Sequence, residues 1–425
     1  SACRNGRGAL RFDGRIFESL CESTEMATSS VSGDRVRMGI VGTGNIATLN
    51  VPGYLEHEQC DVVAICDPRP DVLERRMVEW GVERGYTEVE QLLADDEVDA
   101  VEVLSPTPLH AQHVIAALEA GKHVSCQKPI ANDVGDARKM IAAAGDSGKV
   151  FRVTENCCHY PPLRKARDLI REGAIGTPTV VRIKTVVGRT ESRFQASLDP
   201  AGYTWRFNSE SPGGHLFDDV MHKYAMALWL VDSDITSVQS VVRQGPLFFE
   251  APTVALFEYD RPDLLGMMEV SYAPDMFIRS DYYGADEFFE IQGTRGFIWV
   301  TRLCGNLHLG LPPVVLYEED GRQTSFAELD ASYDGSFRRS ATAFVDALLA
   351  GEAPDLDPEV ATRALQLCFA VYQASNERRP VELSSIDGRV SPNGWPPSEE
   401  KLRGDVEELF RREAARTERL GPGHP

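Results

Sequence analysis

No apolar run in the chain is long enough to cross a bilayer; its longest candidates are helix faces such as Met226–Val231, far below the roughly 20 residues a spanning helix needs. A membrane-embedded role is not expected. Positive charge is also scarce, with 44 lysines and arginines against 65 aspartates and glutamates and a formal net charge of -21. An excess of that sign repels nucleic-acid phosphates and anionic lipid, so neither is expected as a partner. The nine cysteines lack Cys-x-x-Cys spacing and are odd in number, which fits reduced thiols in a cytoplasmic protein rather than a disulfide frame. Adjacent Cys157 and Cys158 read as small buried hydrophobes. Residues 1–34 mix Arg4, Arg7, Arg11 and Arg15 with Glu18, Glu22 and Glu25 and have no continuous apolar core. They are not a secretory signal, and a disordered extension is expected there.

What is present is a nucleotide-binding pattern. The short apolar run Val36–Val41 ends in Gly42, Thr43, Gly44, Asn45, Ile46 and Ala47, the G-x-G-x-x-(G/A) fingerprint of a dinucleotide site. Its first glycine permits the tight turn, the second lets backbone approach a pyrophosphate, and the third position is small so that helix and strand pack closely. A second strand, Asp61–Cys66, ends in Asp67, about twenty residues further on, where an acid grips a ribose 2'-hydroxyl. That acid favours NAD over NADP, although Arg69 just beyond it offers a partner to a 2'-phosphate.

From residue 97 to 131 the chain reads as strand, helix, strand: Val98–Leu104, Leu109–Ala120 and, after the helix stop Gly121, Lys122–Cys126. Lys128, followed by Pro129, leaves the second strand at its carboxyl end, where parallel units of this kind bind ligands. Further on, Pro212, Gly213 and Gly214 precede a predicted helix, His215–Leu230, on which Asp218 and His222 are four apart and share a face. A histidine with a carboxylate one turn away suits a proton acceptor working near neutral pH. Oxidation of a secondary alcohol asks for few groups: His222 takes the hydroxyl proton, Lys128 holds the oxygen and stabilises its charge, and Asp218 orients His222 or grips a neighbouring hydroxyl. His215, Asp218, Asp219 and His222 are also metal-ligand types, but hydride transfer needs no metal beside lysine and histidine, and none is expected.

These marks together resemble the Gfo/Idh/MocA family of nicotinamide-dependent sugar and cyclitol oxidoreductases, from about Arg35 to Leu383. Further marks are Val98 to Val101, His110, Ala117 to Val124, Gly173 to Pro178, and Ile291 to Gly296. The resemblance implies a cofactor site of Gly42, Thr43, Gly44, Asn45, Ile46, Asp67, Arg69, Ser105, Thr107, His110, Gln127 and Lys128. It also implies homo-oligomers, dimers or tetramers, joined through the C-terminal sheet. The chain departs from the family pattern in four places. Gln127 replaces the usual glutamate before the lysine, Ser105 and Thr107 stand where threonine and asparagine are commoner, the arginine that the family often has near the cysteines is absent from residues 156–162, and Lys223 directly follows His222.

At 425 residues the chain exceeds one comfortable core. The expected division is an α/β Rossmann domain, a doubly wound parallel sheet over 35–155, then an α+β domain over 156–384 with a large, mostly antiparallel open sheet flanked by helices. Strands are predicted at Thr179–Gly188, Ser237–Arg243, Thr253–Tyr259, Leu264–Tyr272, Glu287–Gln292 and Phe297–Val300. Val254, Leu256 and Met268 are candidates for subunit contact. Helices Phe337–Leu349 and Val360–Ser375 are expected to close the second domain, and 385–425 is a polar tail with a charged helix, Ser398–Arg419. Substrate groups are sought in cleft loops: Asn156, His159, Tyr160, Arg164, Trp205 and Arg206, besides Asp218 and His222, carry ring faces and amides that suit a sugar or cyclitol. The expected activity is an NAD-dependent sugar, glycoside or cyclitol dehydrogenase. Two alternatives stay open: a redox-neutral enzyme that recycles bound NAD through a transient ketone, and a non-catalytic nucleotide sensor.

Overall fold

The computed structural model describes residue 31 and residues 33–305, 310–352 and 357–420. The extension expected over 1–34 lies almost wholly outside the described residues. Six strands form the first sheet: β1 Val36–Val41, β2 Cys60–Cys66, β3 Arg84–Tyr86, β4 Ala100–Val103, β5 His123–Gln127 and β6 Phe151–Thr154. Their order is β3-β2-β1-β4-β5-β6 and every pairing is parallel. Chain order reverses between β1 and β4, which opens a crevice at the carboxyl ends of those two strands. Helices cover both faces, so β4, β5 and β6 are buried at every position, as a parallel sheet requires.

The second sheet has nine strands: β7 Pro178–Arg189, β8 Ile235–Val242, β9 Thr253–Tyr259, β10 Leu265–Phe277, β11 Ala285–Gly293, β12 Gly296–Val300, β13 Val314–Glu318, β14 Gln323–Phe326 and β15 Val381–Glu382. They run in the order β14-β13-β12-β11-β7-β10-β9-β8-β15. All neighbours are antiparallel except β7 and β10. On β9 burial alternates strictly, leaving Val254 and Leu256 44% and 50% exposed on the outer face. Met268, a candidate for the same face, instead points into the core at 0% exposure, because it opposes Ala255 on the inner register of β9.

One helix departs from its expected place. The first turns of Tyr333–Ala350 do pack on the second domain, Tyr333 against Tyr282 and Tyr283, but Phe344, Val345 and Leu348 pack into the cluster built on β1, with Ala47 and Val51 of helix Ala47–Leu55. Arg152 on β6 reaches it as well, donating to Ser340 O at 2.9 Å and lying 4.5 Å over the Phe344 ring. The chain thus returns from the second sheet to brace the first, which limits how freely the two sheets move. Close approach depends on Gly53, where a Cβ would meet Ala341 Cβ at 2.7 Å and Arg338 backbone at 2.8 Å. Gly53→Val should cost about 1–3 kcal/mol by overpacking, read as a lower urea midpoint; an unchanged midpoint would mean that the two helices separate without penalty.

Candidate active site

The turns after β1, β2, β4 and β5 line one cleft of about 1140 Å³. Gly42 has φ +93°, and a Cβ there would sit 2.8 Å from the backbone of Leu104 and Ser105, so glycine is required for β1 to turn against the β4 loop. Thr43 is buried outside the cleft lining, its N–H and hydroxyl both donating to Asp67 Oδ2 at 3.0 Å. The other Asp67 oxygen accepts from Arg69 N–H and Nε at 3.1 and 3.2 Å. Asp67 therefore sets the β1 turn and the Arg69 side chain together. Asn45 and Arg69 reach the segment joining the two sheets: Asn45 exchanges two hydrogen bonds with the Asp199 backbone at 2.9 Å, and Arg69 Nη1 donates to Asp199 Oδ2 at 3.0 Å.

His110 bridges two more of these turns, with Nδ1 2.9 Å from Pro129 O and Nε2 2.8 Å from Ser105 O. Burial pushes its pKa down to about 4, so the neutral ring donates to one carbonyl at a time. It couples the Ser105–Thr107 loop to the Lys128 turn. Gln127 Oε1 accepts from the Lys128 N–H at 2.8 Å, while its buried Nε2 has no partner among the described residues. An orphaned donor in the cleft, beside a turn that any side chain would fill, fits the polar edge of a nicotinamide dinucleotide.

The opposite wall is built from Pro212 to Trp229. Gly213 and Gly214 have no room for a Cβ, since the Tyr372 hydroxyl and the Phe248 carbonyl occupy that space. Glu250 clamps the turn by accepting from Gly214 N–H at 2.6 Å and Leu216 N–H at 3.0 Å, with the Tyr372 hydroxyl donating to it at 3.1 Å. The expected single helix His215–Leu230 is instead two, His215–Asp218 and Met221–Trp229. Between them Val220 N–H reaches back five residues to His215 O while His222 and Lys223 reach back only three. That break takes Asp218 and His222 off a common face, which corrects the reading that Asp218 orients His222.

Each group finds a different partner. Lys128 Nζ donates to Asp218 O at 2.9 Å and lies 3.8 Å from its Oδ1. Arg206 Nε donates to Asp218 Oδ2 at 2.7 Å, with its guanidinium 4.4 Å over Trp205. Burial opposes ionisation of Asp218, but the Arg206 and Lys128 charges outweigh it and hold the carboxyl below its usual range. His222 Nδ1 lies 2.6 Å from Glu155 Oε1, both side chains almost fully buried. Glu155 also accepts the Cys157 N–H at 3.0 Å. Burial raises its pKa, yet the His222 charge and hydrogen bond leave it net lowered. Nε2 is then the His222 nitrogen left for the cleft. Lys223 is fully buried between Asp219 at 2.8 Å and Glu287 at 3.1 Å; the two carboxylates overcome desolvation and hold the ammonium charged.

Of the expected substrate groups, Trp205, Arg206, Asp218 and His222 line the cleft. Asn156, His159, Tyr160 and Arg164 do not. Helix Tyr333–Ala350 and its approach cover that turn: Asn156 donates to Ser336 Oγ at 2.8 Å, the Tyr160 hydroxyl to Ala331 O at 3.4 Å, and Arg339 Nε to His159 O at 3.0 Å. Arg164 turns back on Cys158 O at 3.5 Å. Sequence reading missed Glu155, although it follows β6 at the carboxyl edge where ligands collect; it also missed the ring wall formed by Phe248, Phe249 and Tyr272. A metal-capable trio does exist among the described residues, Glu155, Cys157 and His222 within 4.8 Å. Burial holds the Cys157 thiol well above its usual pKa, and Glu155 already shares His222 Nδ1.

A parallel sheet with a glycine-rich first turn, facing a lysine, a histidine and paired carboxylates, defines a nicotinamide-dependent oxidoreductase. The model "Oxidoreductase family, NAD-binding Rossmann fold" matches residues 36–155, and "Oxidoreductase family, C-terminal alpha/beta domain" matches 167–383; the chain belongs to the Gfo/Idh/MocA family. It is 27% identical to myo-inositol 2-dehydrogenase of Thermotoga maritima over 83% of this chain and 100% of that one. It is 29% identical to D-apiose dehydrogenase of Paraburkholderia graminis over 88% and 96% respectively. The crystal structure of a probable dehydrogenase from Thermotoga maritima superimposes with TM-score 0.66 at 26% identity, covering 83% of this chain and 100% of that one. No helix among the described residues is long and apolar enough to cross a membrane.

Burial pushes the Glu250 pKa up to about 7 despite its three donors. A raised folded-state pKa contributes stability below the unfolded value near 4.5 that is lost as pH rises through about 7. Relative to Glu250→Gln, the wild type should therefore lose about 3 kcal/mol between pH 4.5 and 7. Urea titrations at several pH values read this directly; parallel stability profiles for the two proteins would exclude it.

Proposed function

We propose that the protein oxidises a secondary alcohol of a sugar, glycoside or cyclitol and passes the hydride to NAD. The observation that carries this reading is that Lys128 and His222 line the same cleft as the glycine-rich turn, with His222 Nδ1 taken up by Glu155. Gly42, Gly44, Asn45 and Ile46 hold the pyrophosphate side, Asp67 and Arg69 the adenosine ribose, and Ser105, Thr107 and Gln127 the nicotinamide ribose. Nicotinamide supplies the hydride acceptor. The chain's own groups do the rest. Lys128 donates a hydrogen bond to the substrate oxygen and offsets its developing charge. The hydroxyl proton passes to His222 Nε2 as the carbonyl forms, and Glu155 holds Nδ1–H and balances the resulting imidazolium. Asp218, held by Arg206, keeps the ammonium in place. The substrate class rests on the relatives, a myo-inositol and a D-apiose dehydrogenase, and on the paired polar groups of the cleft.

Asp67 favours NAD because a 2'-phosphate would sit against its carboxylate. The exposed Val254 and Leu256 of β9, with Val241 on β8 and Leu265 on β10, suit contact with a second copy through the outer face of the sheet. One observation favours a second reading: the Asn45 and Arg69 bonds to Asp199 strap a loop over the dinucleotide turn, which would slow cofactor release and suit an enzyme that recycles bound NAD.

A screen of hexoses, glycosides and inositols with NAD and NADP tests the reading, and one NADH released per turnover separates it from the recycling alternative. Lys128→Met should lower kcat/KM roughly 10²–10³-fold and His222→Ala roughly 10²–10⁴-fold; a wild-type rate in either would remove that residue from the chemistry. Glu155→Gln should cut kcat roughly 10- to 100-fold with KM little moved, whereas an effect on KM alone would make Glu155 a binding group.

A further inference from the structure

The substrate end of the cleft carries stacked rings that the alcohol chemistry does not use. His215 packs on Phe249 at 5.2 Å, Phe249 stacks on Tyr272 at 4.3 Å and 14°, and Phe248 stacks on Phe249 at 4.6 Å and 28°. All four line the cleft, and the three carbocyclic rings are partly exposed. Their position next to the reacting groups is fixed by backbone, since His215 N–H donates to Phe248 O at 2.8 Å, three residues before Asp218.

Helix Glu399–Leu420, beyond the family match that ends at residue 383, braces this wall from outside. Lys401 Nζ donates to Gly245 O at 2.8 Å, Asp405 Oδ2 accepts from Leu247 N–H at 2.7 Å, and Arg412 pairs with Asp275 of β10 at 3.1 Å. Leu409 and Arg412 thereby join the cleft lining. Arg412 is also paired with Glu408 at 3.0 Å, so its charge is spent locally and does not select an anion.

We propose that the ring wall is an aglycone subsite, and that the substrate is a sugar bearing a planar apolar ring. The ring lies against the exposed parts of Tyr272, Phe249 and Phe248 beneath Leu409, while a sugar hydroxyl meets Lys128 and His222. The proposal rests on the alcohol-oxidising reading. A free monosaccharide or cyclitol presents hydroxyls on every side, whereas the polar groups of this wall are confined to the Tyr272 hydroxyl at one ring's rim and to Asp275 and Arg412, which are already paired with each other. An apolar ring instead covers exposed apolar surface and meets these rings in the offset or edge-on geometry that aromatic pairs prefer.

The test compares phenyl and methyl β-glycosides of glucose, galactose and xylose with the wild type, Phe249→Ala, Leu409→Ala and Phe249→Leu, the last keeping bulk while removing the ring face. Two quantities are read: kcat/KM from NADH formation, and Kd by calorimetry on protein loaded with NADH, which needs no turnover. The wild type should prefer phenyl over methyl by roughly tenfold or more in both, and each variant should bring that ratio toward one. A wild-type ratio near one, a ratio unmoved by all three variants, or no binding of any phenyl glycoside overturns the subsite. Phenyl binding that depends on Phe249 without oxidation keeps the subsite and removes the dehydrogenase reading; equal oxidation of both glycosides does the reverse.

Discussion

Charges buried between the two sheets must be paired, and the structure around the cleft follows from how they are. An unpaired ion in such a place costs several kcal/mol, so Asp218, Asp219, His222 and Lys223 each need a partner. The break between helices His215–Asp218 and Met221–Trp229 supplies them by turning consecutive residues in different directions. Asp218 goes to Lys128 and Arg206, Asp219 to Lys223, Lys223 onward to Glu287, and His222 to Glu155. Those partners come from the turn after β5, the loop before Gly213, β11 and the residue after β6. Pairing the charges is therefore the same event as joining the two sheets.

This join has a mechanical counterpart. Helix Tyr333–Ala350 packs on the Rossmann core and Arg152 reaches into it, while Asp199 ties the intersheet segment to Asn45 and Arg69. The groups proposed to react thus sit on elements braced from both sides, the rigidity that holding an alcohol carbon against a nicotinamide ring would require. Binding of the dinucleotide bears on the same contacts, because Arg69 and Asn45 serve both the strap and the expected cofactor turn.

Much of the nucleotide half was legible because its signals are local. Gly42 reads as a forced turn from its neighbours alone, Asp67 from its distance along the chain, and Lys128 from the strand that precedes it. The strands from β7 to β12 declared themselves by alternation, but Val314–Glu318 is buried at three consecutive positions and Gln323–Phe326 is a four-residue edge strand, so the first lacks alternation and the second is too brief to show it. Glu155 follows β6 directly but carries no local mark of its role, whereas Asn156, His159, Tyr160 and Arg164 resemble sugar-binding groups by their amide, rings and charge. The burial of Asn156, His159 and Tyr160 is imposed by a helix and its approach nearly two hundred residues away, which no local pattern reports.

By itself the sequence determined the parallel nucleotide sheet, its glycine turn and the candidate lysine and histidine, since periodicity and turn chemistry act over a few residues. Only the tertiary structure decided which carboxylate serves His222, where Asp218 points, and that the charged C-terminal helix lies against the cleft. Those outcomes depend on the desolvation of charges by distant segments, a cost that exists only once the chain has closed around them.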